Sequence, residues 1–127
     1  MHYTRSIMAT EQPIAPRTRR PSARASALAR AGRDLQPHCQ EAVGVLRALA
    51  NEQRLMILCH LVPLPLSVGQ LNERVPLSQS ALSQHLAVLR KAGMVRTERQ
   101  SQTVYYSLAP GIVTRLLGIL HDEFCSL

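Results

Sequence analysis

The chain has 127 residues and a formal net charge of +7, which suits one small basic domain. Such a charge favours a polyanionic partner, either nucleic acid or an anionic membrane surface. No run approaches the roughly 20 apolar residues that a membrane span needs, and the N-terminus lacks the apolar core of a secretory signal. We therefore expect a soluble cytoplasmic protein without a membrane partner. The three cysteines, being an odd number, argue against a structural disulfide framework.

Much of the positive charge belongs to the N-terminal segment. Residues 1–36 hold seven arginines against two acidic residues, a balance of +5, whereas residues 37–127 carry +2. The composition of this basic segment predicts a largely disordered tail. Its piece from Ser22 to Arg33 is rich in alanine and arginine and is expected to form a transient helix. Two interpretations stay open for the tail, a basic arm on the DNA backbone or a solvated extension.

A folded domain is predicted from residue 37 to residue 127, and it begins with two helices. The first covers about residues 38–49, with apolar residues at helical spacing. Asn51 is predicted to cap the second helix, which Pro63 ends. The inward face of this second helix is expected to carry Leu55, Leu58, Cys59 and Val62.

A short third helix and a turn are predicted next. Ser67 with Gln70 three positions later forms a capping box for a helix over Val68 to Arg74. The turn is Pro76-Leu77-Ser78, in which Ser78 caps a fourth helix. Two helices joined by a short turn are typical of a helix-turn-helix.

The fourth helix, which ends at Lys91, has the pattern of a DNA recognition helix. Its inward stripe consists of Ala81, Leu82, Leu86 and Leu89. Polar side chains outside this stripe both donate and accept hydrogen bonds, as reading base edges in the major groove requires. Base reading is assigned to Gln79, Ser80, Ser83 and Gln84, and backbone contact to Arg90. His85 either contacts DNA or lies at the packed edge of the helix.

Gly93 is predicted to end that helix, and a β-hairpin follows as a wing. Arg96 and Arg99 on its first arm are placed to meet phosphates, and Gln102 lies at its tip. A final helix from about Ile112 to Cys125 carries more apolar surface than one side of a helix needs. This excess suggests a dimer interface.

In this order the elements resemble the ArsR/SmtB family of winged-helix bacterial repressors over about residues 38–125. The most specific motifs are LANEQRL at residues 49–55, LSQSALSQHL at residues 77–86 and QTVYY at residues 102–106. The resemblance implies a mainly α winged helix-turn-helix with a small β-hairpin, dimerising through the first and last helices of the domain. It also implies a homodimer that binds double-stranded, inverted-repeat operator DNA and releases it when an inducer binds or a thiol pair is oxidised.

Within that family, two cysteines are similar to those of the redox- and reactive-sulfur-sensing branch, the BigR, SqrR and HlyU types. Cys59 near the end of the second helix and Cys125 at the end of the last match the pair that forms a disulfide or polysulfide bridge there. The resemblance thus implies de-repression by an oxidant or a reactive sulfur species. Inert packing of Cys59 on an apolar face is the alternative.

Cys39 departs from the two-cysteine pattern of that branch. Together with Cys59 or Cys125 it would offer thiolates to arsenite or a soft metal, which makes an arsenite- or metal-responsive repressor the alternative function. A zinc site is not expected, because the family's Cys-x-Cys is absent from residues 66–71 and no Asp-x-His pair precedes His121.

The sequence also bears on two functional classes other than a DNA-binding repressor. An enzyme or a cofactor-binding protein is not expected, because the sequence contains no serine nucleophile elbow, no phosphate-cradling glycine loop and no paired carboxylates. A protein-interaction module on a winged-helix scaffold is the other alternative, since a fold does not determine a function.

Overall fold

A computed structural model of the protein describes residue 20 and residues 22–125, and the chain divides into two units, Met1–Gln36 and Pro37–Leu127. In the first unit, Ala23–Leu35 form helix α1, whose N-cap Ser22 accepts a hydrogen bond from the backbone N–H of Ala25 at 3.1 Å. The sequence predicted a transient helix here. Alanine and arginine favour the helical state, and the Ser22 cap satisfies one of its free N–H groups. The disorder predicted for residues 1–19 and 21 lies outside the described residues.

The second unit is a winged helix-turn-helix, which confirms the predicted fold class. A short 3-10 turn, Gln36–His38, precedes its first helix. Its elements are α2 (Cys39–Leu49), α3 (Glu52–Leu61), β1 (Leu66–Ser67), α4 (Val68–Arg74), α5 (Gln79–Lys91), β2 (Val95–Gln100), β3 (Thr103–Leu108) and α6 (Ile112–Cys125). Within the described range, no helix combines the length and apolar character needed to cross a membrane.

Side-chain caps start the helices where the sequence predicted them. Asn51 Oδ1 accepts from the Arg54 N–H at 3.0 Å and begins α3. Ser67 and Gln70 form a full capping box at α4, with hydrogen bonds of 2.9 and 3.2 Å. Ser78 Oγ accepts from the Ala81 N–H at 3.1 Å and begins α5. Each such cap typically contributes about 1 kcal/mol, so these polar residues fix the starts of the helices.

The hydrophobic core gathers residues from α2 through α6 and the sheet. Its fully buried large side chains are Ile57, Leu58, Leu66, Leu71, Leu82, Leu86, Leu89, Met94 and Val113. The predicted inward face of α3 is wrong in part, because Cys59 and Val62 are exposed. The stretch from Leu55 to Leu61 is apolar on more than one side, so spacing alone does not select a face. Packing against the rest of the core buries Ile57, Leu58 and Leu61 instead.

The wing is part of a three-stranded antiparallel sheet in the order β1-β3-β2. The predicted hairpin is confirmed, and the two-residue strand β1 is added to its other edge. Leu66 of β1 pairs with Tyr106 of β3, which in turn pairs with Thr97 of β2. Because Leu66 is fully buried, this pairing joins the wing to the core beside the helix-turn-helix.

Candidate DNA-binding face and thiol groove

Helix α5 divides cleanly into a buried and an exposed side. Leu82, Leu86 and Leu89 are buried and Ala81 is half-buried, which confirms the predicted inward stripe. The predicted contact residues on the other side are all exposed, namely Gln79, Ser80, Ser83, Gln84 and Arg90. With its apolar stripe packed in the core, the helix presents a face of hydroxyl, amide and guanidinium groups. Such a face can hydrogen-bond to base edges and phosphates.

The turn of the helix-turn-helix is held by a residue that sequence reasoning missed. Asn72 on α4 donates from Nδ2 to the backbone oxygen of Leu77 at 2.7 Å. The bond joins α4 to the segment that leads into α5, and thereby restrains the relative position of the two helices. An asparagine five residues before its acceptor fits no capping pattern, so the sequence carries no local signal of this contact.

Helix α5 ends in a Schellman motif around Gly93, as the predicted glycine stop requires. The Gly93 N–H donates to Arg90 O at 3.0 Å, and the Met94 N–H donates to Leu89 O at 2.9 Å. Gly93 has φ +75°, which a residue with a side chain adopts at a cost. Met94 and Leu89 are both buried, so the same turn that ends the helix directs the chain into the wing.

Arg54 ties α3 to its neighbours and was also missed. Its guanidinium donates from Nε to Ala48 O at 2.7 Å and from Nη2 to Arg47 O at 3.0 Å, so it binds free carbonyl groups at the end of α2. Its Nη1 lies 3.5 Å from Nδ1 of His85. Because arginine can only donate, His85 Nδ1 accepts in this contact when the ring carries its proton on Nε2. The structure thus places His85 half-buried at the packed edge of α5, while contact with DNA stays a prediction.

The two arginines predicted on the wing lie on opposite faces of it. Side chains directly opposite each other across antiparallel strands share a face of the sheet. The Thr97–Tyr106 and Arg99–Val104 pairs therefore lie on the face of buried Leu66, whereas Arg96 lies on the other. Both arginines are exposed, as is Gln102 in the turn between the strands. Ser101 beside it has φ 58°, which closes the tip.

The two predicted sensor cysteines line one groove, the thiol groove, between α3 and α6. The groove has a volume of about 660 Å³, and Cys59 and Cys125 both belong to its wall. Apolar side chains make up most of the remainder, including Leu55, Val62, Leu117, Leu120 and Phe124. Both cysteines are exposed free thiols, so reagents in solution can reach them. Burial as an inert core residue is therefore wrong for Cys59.

Cys39 does not join the other two thiols in this groove. It is exposed at the first position of α2, after His38, whose Nδ1 lies 3.8 Å from Glu41 Oε1. Among residues 20 and 22–125, no three histidine, cysteine or acidic side chains are close enough to share a metal ion. Arsenite or metal binding by three thiols thus gains no support from one protomer.

Helices α2 and α6 leave apolar side chains in solvent. In α6 Val113 is buried, but Ile119 is 63% exposed and Phe124 is 79% exposed. In α2 Val43 and Leu46 are exposed in the same way. An isolated apolar residue on a surface needs no explanation, but two helices of one domain with such faces are typical of a protein interface.

The family model described as "Bacterial regulatory protein, arsR family" matches residues 51–97, which run from the cap of α3 into the first arm of the wing. The transcriptional activator HlyU of Vibrio cholerae is 48% identical over 92 residues, covering 72% of this chain and 85% of HlyU. A structure of reduced HlyU from the same species superposes with a TM-score of 0.67 at 47% identity, covering 73% of this chain and 98% of that one.

Two further solved structures are similar to this chain. The transcriptional repressor BigR of Xylella fastidiosa is 34% identical with a TM-score of 0.68, covering 75% of this chain and 97% of BigR. NolR of Sinorhizobium fredii is 37% identical with a TM-score of 0.68, covering 92% of this chain and all (100%) of NolR. Since Pro37–Leu127 is under three quarters of the chain, the NolR match extends into the N-terminal unit.

Proposed function

Because this chain belongs to the arsR family of bacterial regulatory proteins, we propose that it is a homodimeric repressor that releases operator DNA when Cys59 and Cys125 become bridged. The general part of this function follows from the family, since the chain is a transcriptional regulator of a family that binds operator DNA. The observation that supports regulation by a cysteine bridge is the thiol groove, whose wall contains both cysteines.

The face of α5 supports binding of a specific operator. Five polar residues predicted to contact DNA are exposed on one side of a helix whose other side is fixed in the core. A rigid helix of this kind presents its side chains to the major groove in one register. Gln79 and Gln84 carry amides, which pair with adenine through two hydrogen bonds.

A homodimer is supported by the exposed apolar faces of α2 and α6. The folded unit of about 90 residues buries a modest core, so a second copy would supply further apolar burial. Two copies related by a two-fold axis also place two α5 helices side by side. Such a pair reads two half-sites one turn of DNA apart, which is why an inverted repeat is the expected operator.

An organic persulfide is the proposed inducer, because its sulfur–sulfur bond supplies the oxidising equivalents that convert two thiols into a disulfide. One thiolate attacks the outer sulfur of R–S–SH, takes it as a protein persulfide and releases R–SH. The second thiolate attacks the protein's own sulfur, so that a Cys59–Cys125 disulfide forms and H₂S leaves. A hydroperoxide reaches the same disulfide through a sulfenic acid, with an alcohol and water as products.

A bridge across the thiol groove would act on DNA binding through α3. Leu58 of α3 is buried in the same core as Leu86 of α5, so α3 is packed between the groove and the recognition helix. Binding both half-sites requires a fixed separation of the two α5 helices. A bond from α3 to the proposed dimerisation helix α6 would change that separation and weaken the complex.

The test uses the promoter region of the protein's own operon in a fluorescence anisotropy titration. We expect the reduced protein to bind, and a persulfide to lower its affinity at least about tenfold, a change of about 1.4 kcal/mol. Cys59→Ser and Cys125→Ser should bind as tightly as the reduced protein and lose the response. Mass spectrometry should show the loss of two hydrogens and a peptide linked through both cysteines.

Cys39→Ser is the matched control, because it removes an equally exposed thiol that lies outside the thiol groove. It should respond to persulfide like the unmodified chain. A full response in Cys59→Ser and Cys125→Ser would end the bridging proposal. If arsenite released DNA instead, and Cys39→Ser lost that release, the soft-metal alternative would take its place.

A further inference from the structure

A second polar groove lies between α5 and the wing. It has a volume of about 460 Å³ and is lined by Ser83, Ala87, Arg90, Lys91 and Tyr106. Its wall, as described, combines two cationic side chains with two hydroxyl groups and includes no acidic residue. This is the donor set that a phosphate group prefers, since the cations supply charge and the hydroxyls supply hydrogen bonds.

The α5 side of this groove follows one stripe of the helix. Ser83, Ala87, Arg90 and Lys91 are spaced by four, three and one residues, so they lie along the same side of α5. All four are exposed. The small side chain of Ala87 at the middle of the stripe leaves space between Ser83, on its N-terminal side, and the two cations on its C-terminal side. The stripe begins among the residues predicted to read bases and ends at the last residue of the helix.

The wing side of the groove is formed by Tyr106, which also packs against the hydrophobic core. It is half-buried and pairs across the sheet with buried Leu66 and with Thr97. Tyr105 lies on the other face of the same strand, where it pairs with Glu98 and Ser67. The core therefore holds the ring of Tyr106 in position beside the two cations, whereas Tyr105 takes no part in the groove.

We propose that this groove is a seat for one backbone phosphate of the operator, held by Arg90, Lys91 and Tyr106. The inference rests on the proposed DNA binding and adds a ligand and residues to it. A recognition helix in the major groove and a wing over the adjacent minor groove lie on either side of one sugar–phosphate strand. The groove between α5 and the wing is where that strand passes.

A phosphate bound in this seat fixes the register of α5 on the duplex. Phosphate contacts carry no sequence information, but they determine which base edges the helix side chains face. The ring of Tyr106 packs against the core while its hydroxyl group belongs to the groove, so the core fixes where the phosphate binds relative to β3.

The seat is tested by the salt dependence of binding, measured for Lys91→Gln and Tyr106→Phe on the same operator duplex. Lys91→Gln removes one phosphate-neutralising charge, so the slope of log K against log salt should fall by about 1. Tyr106→Phe keeps the ring in the core and removes a neutral donor. It should weaken binding about tenfold at every salt concentration with no change of slope.

Arg115→Gln and Tyr105→Phe are the matched controls. Arg115 is exposed on α6 and Tyr105 lies on the opposite face of β3, and neither lines the groove. Both variants should keep the affinity and slope of the unmodified protein. Affinity for operator relative to scrambled duplex should stay the same in Lys91→Gln and Tyr106→Phe, because each variant removes no base contact and leaves Arg90 in the groove to hold the register of α5.

Two results would overturn the seat while DNA binding itself stands. One is an unmodified protein that binds the operator together with Lys91→Gln and Tyr106→Phe variants that match their controls. The other is strict additivity in the double variant, because two groups on one phosphate must couple. If the unmodified protein binds no DNA, the proposed function fails first, and the seat fails with it.

Inorganic phosphate separates the two sources of this ligand chemistry. At equal ionic strength, phosphate and chloride buffers should weaken DNA binding nearly equally, because a free ion lacks the neighbouring phosphates and bases through which the operator is held. A loss of binding specific to phosphate buffer, abolished by Lys91→Gln, would assign the seat to free phosphate and overturn the assignment to DNA.

Discussion

Helices α5 and α6 are both amphipathic and similar in length, yet they use their apolar residues in opposite ways. α5 packs Leu82, Leu86 and Leu89 into the core of its own chain and exposes polar side chains. α6 buries Val113 and leaves Ile119 and Phe124 in solvent. An apolar stripe in a sequence therefore predicts a buried helix face. It does not show whether the same chain or a second chain packs against that face.

The difference supports the separate roles proposed for the two helices. A helix fixed by its own core holds its exposed side chains in one orientation, which sequence-specific reading of DNA requires. A helix with an uncovered apolar face gains stability when another surface packs on it. Substitutions in the two helices therefore distinguish an interior role from an interface role.

Leu86→Ala should lower the free energy of unfolding by about 2–5 kcal/mol, because it leaves a cavity in a fully packed core. Urea unfolding at one fixed protein concentration measures it, since the proposed dimerisation would contribute to apparent stability. The control is Val88→Ala on the same helix, where the side chain is 42% exposed and the expected change is within about 0.5 kcal/mol. Similar losses in both variants would show that α5 is not fixed by its buried stripe.

Gln84→Ala should reduce the preference for the operator over a scrambled duplex by about 1–3 kcal/mol, the value of one base contact through two hydrogen bonds. Affinity for the scrambled duplex should stay nearly constant, since the amide carries no charge. A competition titration with both duplexes measures the preference. An unchanged preference would mean that α5 lies on DNA in another register.

Ile119→Ala should raise the dissociation constant of the proposed dimer about tenfold, or about 1.4 kcal/mol, with little effect on the fold of the single chain. Sedimentation velocity over a range of concentrations measures the dissociation constant. Leu64→Ala is the control, because Leu64 is a similarly exposed apolar residue outside α2 and α6. If both variants dimerise like the unmodified chain, the exposed face of α6 is not the interface.

Local chemistry made much of the fold predictable. The caps at Asn51, Ser67 and Ser78 and the stop at Gly93 act within a few residues of themselves, so their spacing in the sequence is sufficient. The polar face of α5 follows from the same logic, since its buried stripe has a clear helical period.

Features that depend on tertiary packing could not be predicted in the same way. The apolar run of α3 allows several inward faces, and contacts elsewhere in the chain buried Ile57 and Leu61 rather than Cys59 and Val62. Strand β1 has two residues and exists because Leu66 pairs with Tyr106, forty positions away in the sequence. Neither feature has a local pattern that would reveal it.

The thiol groove could be predicted only in part. The resemblance selected Cys59 and Cys125 from three cysteines, but spacing alone does not show whether they approach each other. The structure places both in one groove and leaves Cys39 outside it. It also exposes Cys59, which the apolar pattern of α3 had suggested would be buried.

The contact between Arg54 and His85 bears on attempts to re-engineer this regulator. A recognition helix is often treated as a cassette that can be exchanged to change the operator. Here, one residue of that helix accepts a contact from a guanidinium that also closes the end of α2. A cassette without histidine at position 85 would remove the contact of Arg54 Nη1 and change how α5 packs against α3. Transplanted specificity would then require residues 54 and 85 to be exchanged together.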